Sequence, residues 1–218
     1  DSRPPYIFND DLPVVRFAAK DSGETIATLL SFGNHAEVRW SSNPYLTADY
    51  PHFVRKYIRE GLEAVENDQG QVEKPALEGF GGTVVWFPGS VGGLINPGDG
   101  GAIDYAGDEP EGDHSWAAAD ALGQQLASKV LEAHADGQFD ALESPDLSFA
   151  KKEFLTPIAN KKFQFAAYNL GVLERDIYNA VKRGLFDYQP GDPKVLTEVG
   201  VVRLGSVTFF TAPGEVFP

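Results

Sequence analysis

Thr25-Ile26-Ala27-Thr28-Leu29-Leu30-Ser31-Phe32-Gly33-Asn34-His35-Ala36-Glu37 is the stretch on which the fold turns. Residues 25–33 place apolar side chains at both odd and even positions, the pattern of a strand covered on both faces. Upstream, Leu12-Pro13-Val14-Val15-Arg16-Phe17-Ala18-Ala19 reads as another strand, and the polar turn Lys20-Asp21-Ser22-Gly23-Glu24 between them predicts a hairpin. Downstream, residues 49–65 predict a helix. Thr47 or Asp49 serves as its N-cap, Pro51 sits in its first turn, and Phe53, Val54, Tyr57, Ile58, Leu62 and Val65 share one face. Residues 66–79 read as a polar linker. Thr83-Val84-Val85-Trp86-Phe87 is a third strand running into the Gly-rich turn Pro88-Gly89-Ser90-Val91-Gly92-Gly93.

Beyond that turn, residues 97–115 form a Gly/Asp/Glu-rich loop, longer than the ~12–15 residues usual for loops without structure of their own. Residues 116–135 predict a helix with Leu122, Leu126, Val130 and Leu131 on its apolar side. A strand over 147–156, a short helix over 172–184, and two strands over 199–204 and 207–212 around Gly205-Ser206 complete the reading. Strands interleaved with helices and short hairpins place the chain in the α/β class, as a mixed β-sheet flanked by helices.

The chain has 218 residues, with 18 Lys+Arg against 32 Asp+Glu and a net charge of −14. One domain spanning residues 1–218 is expected. The acidic balance repels a phosphate backbone, so nucleic acid is excluded as a partner. No run approaches the ~18 apolar residues of a membrane span. Cys is absent, which removes thiolate nucleophiles and Cys-type zinc sites. Met is absent too, and the chain opens Asp1-Ser2-Arg3-Pro4-Pro5 and closes at Phe217-Pro218 directly after an apolar segment. Both ends read as cut, as in a piece of a longer or processed protein.

Four histidines are present: His35, His52, His114 and His134. His35 follows a buried strand, where side chains emerge at the rim of an α/β sheet. Its neighbours Asn34 and Glu37 are placed to orient an imidazole or share a metal. His52 lies in a helix first turn, facing solvent or the strand-end cluster, and His134 near a helix C-terminus suits a structural role. Asp99, Asp104, Asp108, Glu109, Glu111 and Asp113 offer oxygen ligands of the kind calcium takes, without the spacing of an EF-hand. The turn at Ser90, Gly92 and Gly93 is suited to present N–H groups to an anion or oxyanion, with Ser90 a less favoured nucleophile. It is neither a Gly-x-Ser-x-Gly elbow nor a phosphate loop. Glu215, in Pro213-Gly214-Glu215, ends a near-continuous apolar strand and is placed to meet His35 if the two strands belong to one sheet.

In order along the chain, residues 27–37 with Leu46-Thr47-Ala48-Asp49-Tyr50, then Gly81-Gly82-Thr83 through Gly93, the helix at 116–135, and Gly205-Ser206-Val207 through Glu215 resemble neutral/alkaline ceramidase-like proteins. The resemblance implies a zinc-dependent amide hydrolase domain with His35 and Glu215 as metal ligands. A further His upstream and a Tyr downstream would come from the remaining parts of the same protein. It also implies a small-molecule or lipid amide substrate of the sphingolipid type and a secreted or cell-surface location. Ala36 stands where the family has Pro, and no Ser occupies the family's catalytic position near Ile95-Asn96. Metal-activated water needs no such side chain. In this reading the Ser90–Gly93 turn donates to the oxyanion, and Asp49 caps the helix and braces the His35 loop behind the metal. The alternatives are a non-catalytic domain serving as a binding or structural module, and a module stabilised by calcium in the 99–113 loop.

Overall fold

The computed structural model describes residues 11–41, 43–94, 101–169, 176–178 and 193–216. They divide into two compact units, residues 1–140 with 215–218, and residues 141–214.

In the first unit, β1 (Val14–Ala18) and β2 (Thr25–Phe32) form the expected antiparallel hairpin, with Val15 opposite Leu29. Parallel pairing needs a crossover. The chain supplies one through α1 (Tyr50–Glu60) and four short strands, β3 (Gly61–Leu62), β4 (Val65–Glu66), β5 (Val72–Lys74) and β6 (Leu77–Glu78), before β7 (Thr83–Pro88) returns beside β2. The order β1-β2-β7 therefore makes a mixed sheet. Thr28 and Leu30 are buried, and their partners Val84 and Trp86 share that face. Leu30 and Val84 join Tyr50, Val54 and Ile58 of α1 and Leu122 and Val130 of α2 (Trp116–Ala135) in one core cluster. The opposite face of β2 is only half-buried, so the double apolar pattern overstated its cover.

The helix expected over 49–65 stops at Glu60. Gly61 takes φ 91 and its N–H bonds back to Tyr57 O, a backbone state that ends the helix. Residues 66–79 are more than a linker. Together with residues 61–65 they fold into two small antiparallel ladders, β3 with β6 and β4 with β5. Their turn is held by Asn67, whose side-chain oxygen accepts the N–H groups of Gln69 and Gln71. Strands of two or three residues are too short to show a hydrophobic period, so no sequence pattern marks them. α2 has its expected bounds, with Ser115 as N-cap accepting from Ala118 N at 2.9 Å. α1 and α2 cross closely at Gly123, where an added Cβ would meet Phe53 and Val54 backbone at 2.9–3.0 Å.

The second unit is an antiparallel sheet in the order β11-β10-β8, built from β8 (Leu147–Pro157), β10 (Lys194–Leu204) and β11 (Val207–Thr211), with β9 (Ile177–Tyr178) also paired to β10. The hairpin around Gly205-Ser206 forms as read, with Gly205 at φ 57. β10 begins earlier than residue 199 because its full length pairs with β8. The helix expected over 172–184 lies largely outside the described residues. Its described part is strand, since the Ile177 and Tyr178 backbones pair with Val195 and Lys194. A helix forms upstream instead, α3 (Lys161–Asn169), in a stretch for which the sequence pattern gives no helix. Asn160 marks its start by accepting from Lys162 N at 2.9 Å. No helix among the described residues is long and apolar enough to cross a membrane.

Candidate metal centre

β2 ends at Phe32, and the chain turns through Gly33 and Asn34 to His35. β7 ends alongside and turns through Gly89 and Ser90 into a single 3-10 turn, Val91–Gly93. These turns approach closely enough that a Cβ on Gly33 would meet Ser90 O at 3.2 Å and one on Gly89 would meet Phe32 C at 3.0 Å. Gly89 N donates to Phe32 O at 2.9 Å. The glycines thus let the two strand ends lie together, and the carbonyl of Leu94 arrives under the His35 ring.

Leu94 O accepts from the His35 backbone N–H at 2.9 Å and from ring Nδ1 at 3.2 Å. A carbonyl only accepts, so Nδ1 carries the proton and Nε2 is the nitrogen left to face outward. Nε2 lies 3.2 Å from Glu215 Oε1, with the two side chains 19% and 65% exposed. An unprotonated nitrogen and a carboxylate oxygen this close need a shared cation, either a proton or a metal. Burial works to lower the His35 pKa. The Glu215 hydrogen bond, the Leu94 carbonyl and the charges of Glu215 and Glu37 together outweigh it and raise the pKa above the ordinary 6.5. An imidazole nitrogen with its other nitrogen fixed by a carbonyl, facing a carboxylate, is a donor pair that fits zinc. Zinc sites of the catalytic kind take about three protein ligands. Among the described residues no group of three or more His, Asp or Glu is placed to hold a metal.

The premise of a shared sheet needs correction: β2 belongs to the β1-β2-β7 sheet, whereas β11 belongs to β11-β10-β8. Glu215 follows β11 but packs with residues 1–140. Val216 anchors it there by accepting from Gly92 N at 2.9 Å. That contact also revises the turn, because the Gly92 N–H is already donated and is lost as an oxyanion donor. Ser90 makes no side-chain hydrogen bond to the 3-10 turn that follows it.

The loop from His35 to α1 is held from the start of that helix. Asp49, 4% exposed, accepts from Val38 N (3.1 Å), Arg39 N (2.8 Å) and Tyr50 N (2.8 Å). It therefore caps α1 and braces the loop together. Its backbone, at φ 53 and ψ −148, occupies a region that glycine favours, a strain of roughly 1–3 kcal/mol. Tyr50, fully buried, donates its hydroxyl to Asn34 O at 2.9 Å. Burial, then the Asp49 charge, raises the Tyr50 pKa, so the phenol stays protonated and donating. Asn34 therefore takes part through its carbonyl, while its buried side-chain Oδ1 has no hydrogen-bond partner among the described residues. Glu37 is exposed and reaches His35 only through its charge.

The other histidines lie elsewhere. His52 is exposed on α1 with its ring edge-on to Phe53. His134 sits edge-on between Phe80 and Phe139, a structural aromatic cluster. His114 bonds through Nδ1 to Val38 O at 2.9 Å. Sequence reasoning gave roles to neither His114 nor Tyr50; no local pattern marks a residue whose partner is 16 or 76 positions away. In the acidic loop, Asp104 turns its carboxylate onto the N–H groups of Gly107 and Asp108, both at 2.9 Å. Asp99 and the Ile95-Asn96 position lie outside the described residues.

No family model matches the chain, and no curated protein matches it in sequence. In three dimensions it is similar to the neutral ceramidase of Pseudomonas aeruginosa, with a TM-score of 0.58 at 13% identity. The match covers 95% of this chain and 35% of that one, so the chain spans about a third of the length of the solved neighbour. At this identity the likeness shows a shared fold.

Proposed function

We propose that this chain forms part of a zinc-dependent amide hydrolase resembling neutral ceramidase, with His35 Nε2 and the Glu215 carboxylate as two of the metal's ligands. The observation that carries the reading is the 3.2 Å approach of these groups while Nδ1 is engaged by Leu94 O. The fold shared with a neutral ceramidase supports it. Remaining parts of the same protein would supply the other ligands. When bound, zinc polarises an acyl carbonyl and brings the pKa of water down to about 7.

The chain's own residues do the rest of the work. Leu94 O fixes the tautomer of His35, and Asp49 and Tyr50 hold its loop from behind. Ser90 and Gly93 remain in the proposal as N–H donors to the developing oxyanion. The water oxygen bonds to the acyl carbon, the C–N bond breaks, and the leaving amine takes up a proton. The substrate is an N-acyl amide, a small molecule or a lipid of the ceramide type, met outside the cell or at its surface.

A non-catalytic binding or structural module is the second reading. It is favoured by the presence of two, rather than three, metal donors among the described residues. The full-length protein decides between them. Elemental analysis should find zinc, and N-acyl amide hydrolysis should vanish together with the metal in His35→Ala and Glu215→Ala. A His35→Ala variant that keeps both zinc and hydrolysis refutes the assignment, and a metal-free, inactive wild type supports the module.

A further inference from the structure

We propose that His114 is a positioning residue for His35, acting through the loop between His35 and α1. What the loop is positioned for rests on the hydrolase reading above; the clamp itself does not.

Residues 114–116 grip three consecutive residues of that loop. His114 Nδ1 donates to Val38 O at 2.9 Å. Its ring stacks on Trp40, with centroids 5.5 Å apart and planes at 26°. Its carbonyl accepts from the Arg39 guanidinium, which also lies over the Trp116 ring at 4.6 Å. Asp49 meanwhile takes the N–H groups of Val38 and Arg39. Val38, itself buried, is thus held at both its N–H and its carbonyl, from two different elements.

Backbone strain falls at two positions of this same loop, one at the clamp and one at the helix start. Among the described residues, only Trp40 (φ 51) and Asp49 (φ 53) are non-glycine positions with positive φ. Such backbone persists only where surrounding contacts over-determine it. His114 supplies those contacts at Trp40, and the hydrogen bonds of Asp49 supply them at the helix start. A merely packed surface histidine would not explain why the ring, its Nδ1 and its backbone carbonyl all bond to one tripeptide. With the loop clamped at Val38–Trp40 and at Asn34 by Tyr50, His35 is confined between two fixed points. A group bonded directly to a metal ligand changes metal affinity by roughly 10–100-fold; His114 acts on His35 through Val38, three residues along the chain, and its effect is smaller, about 3–10-fold.

The test uses the full-length protein and three variants. His114→Ala removes ring and donor, His114→Asn keeps an N–H donor near the place of Nδ1, and His114→Phe keeps the ring without the donor. Zinc affinity is measured by competition with a chromophoric chelator, and hydrogen exchange is followed at the Val38 and Arg39 amides. His114→Ala should weaken zinc binding by roughly 3–10-fold, less than loss of a direct ligand partner, and speed both amides at least about tenfold, with His114→Asn recovering most of the zinc affinity and His114→Phe little. Zinc affinity within about twofold of wild type in His114→Ala overturns the proposal, as does recovery by His114→Phe but not by His114→Asn. If wild type binds no zinc, the hydrolase reading fails and the amides judge the clamp alone: unchanged exchange in His114→Ala overturns it, faster exchange sustains it. If His114→Ala does not fold, the Asn and Phe variants decide by the same criterion.

Discussion

Gly123→Ala should destabilise the first unit, against the usual direction of a Gly→Ala change inside a helix. In an ordinary helix interior the substitution gains ~0.5–1 kcal/mol by restricting the unfolded chain. Here the new Cβ would lie 2.9 Å from Phe53 C and 3.0 Å from Val54 N, and closer still to Phe53 Cβ, where ordinary contact is 3.4–4 Å. These are backbone and near-backbone atoms with no rotamer to change, so α1 must retreat from α2 by about 1 Å or more to restore contact distances. Overpacking of this kind costs about 1–3 kcal/mol, leaving a net loss near 1–2 kcal/mol after the helix gain. The assay is urea unfolding followed by tryptophan fluorescence. All three tryptophans (Trp40, Trp86 and Trp116) belong to the first unit, so the signal reports that unit alone. With slopes of ~1–3 kcal/mol per molar urea, the midpoint should fall by roughly 0.5–1 M. A midpoint at or above wild type would show that the helices are not packed backbone to backbone at Gly123, and the account of the core would fail. Because α1 begins at the residues that hold the His35 loop, the same variant should also weaken zinc uptake in the full-length protein.

Tyr50→Phe leaves the ring in place but orphans the buried Asn34 carbonyl, which should lower stability by about 1–3 kcal/mol in the same assay. Asp49→Ala removes the helix cap and two further buried amide partners, for a loss of at least ~2 kcal/mol. Asp49→Gly loses the same bonds but relieves the backbone strain, so it should be the milder of the two, and equal losses would argue that φ 53 carries no strain. In chelator-treated protein the raised His35 pKa makes the His35–Glu215 pair a source of stability below pH 6.5, while Glu215 is ionised. That stability is lost as the pH rises through the higher folded value, so wild type should exceed Glu215→Gln near pH 6 and match it near pH 9. A constant difference across that range would refute the ion pair.

Much of the first unit can be read from local pattern. The β1–β2 hairpin, β7 and α2 stand out because each buries an apolar face whose period is visible in the residues themselves, as at Leu122, Leu126, Val130 and Leu131. α1 was read too long because Leu62 and Val65 continue its apolar period while Gly61 ends the helix through its backbone alone. The small ladders over residues 61–78 carry no readable signal because strands of two or three residues are too short to show a period. Within the span expected as a helix over 172–184, Ile177 and Tyr178 are strand because β10 offers them a pairing edge, which no local pattern shows.

The candidate site divides the same way. His35 could be singled out from the sequence because a histidine placed just after a buried strand reaches the sheet rim, and Asp49 because a helix start needs an acceptor for its free N–H groups. The chain order of residues says nothing, however, about which distant groups converge. The tertiary structure alone brings Leu94 O beneath the imidazole, carries Glu215 from the end of a strand in another sheet to within 3.2 Å of Nε2, and sets His114 against Val38. Local propensity is a property of adjacent residues, whereas the position of a ring nitrogen or a carboxylate oxygen follows from the packing of elements far apart in sequence.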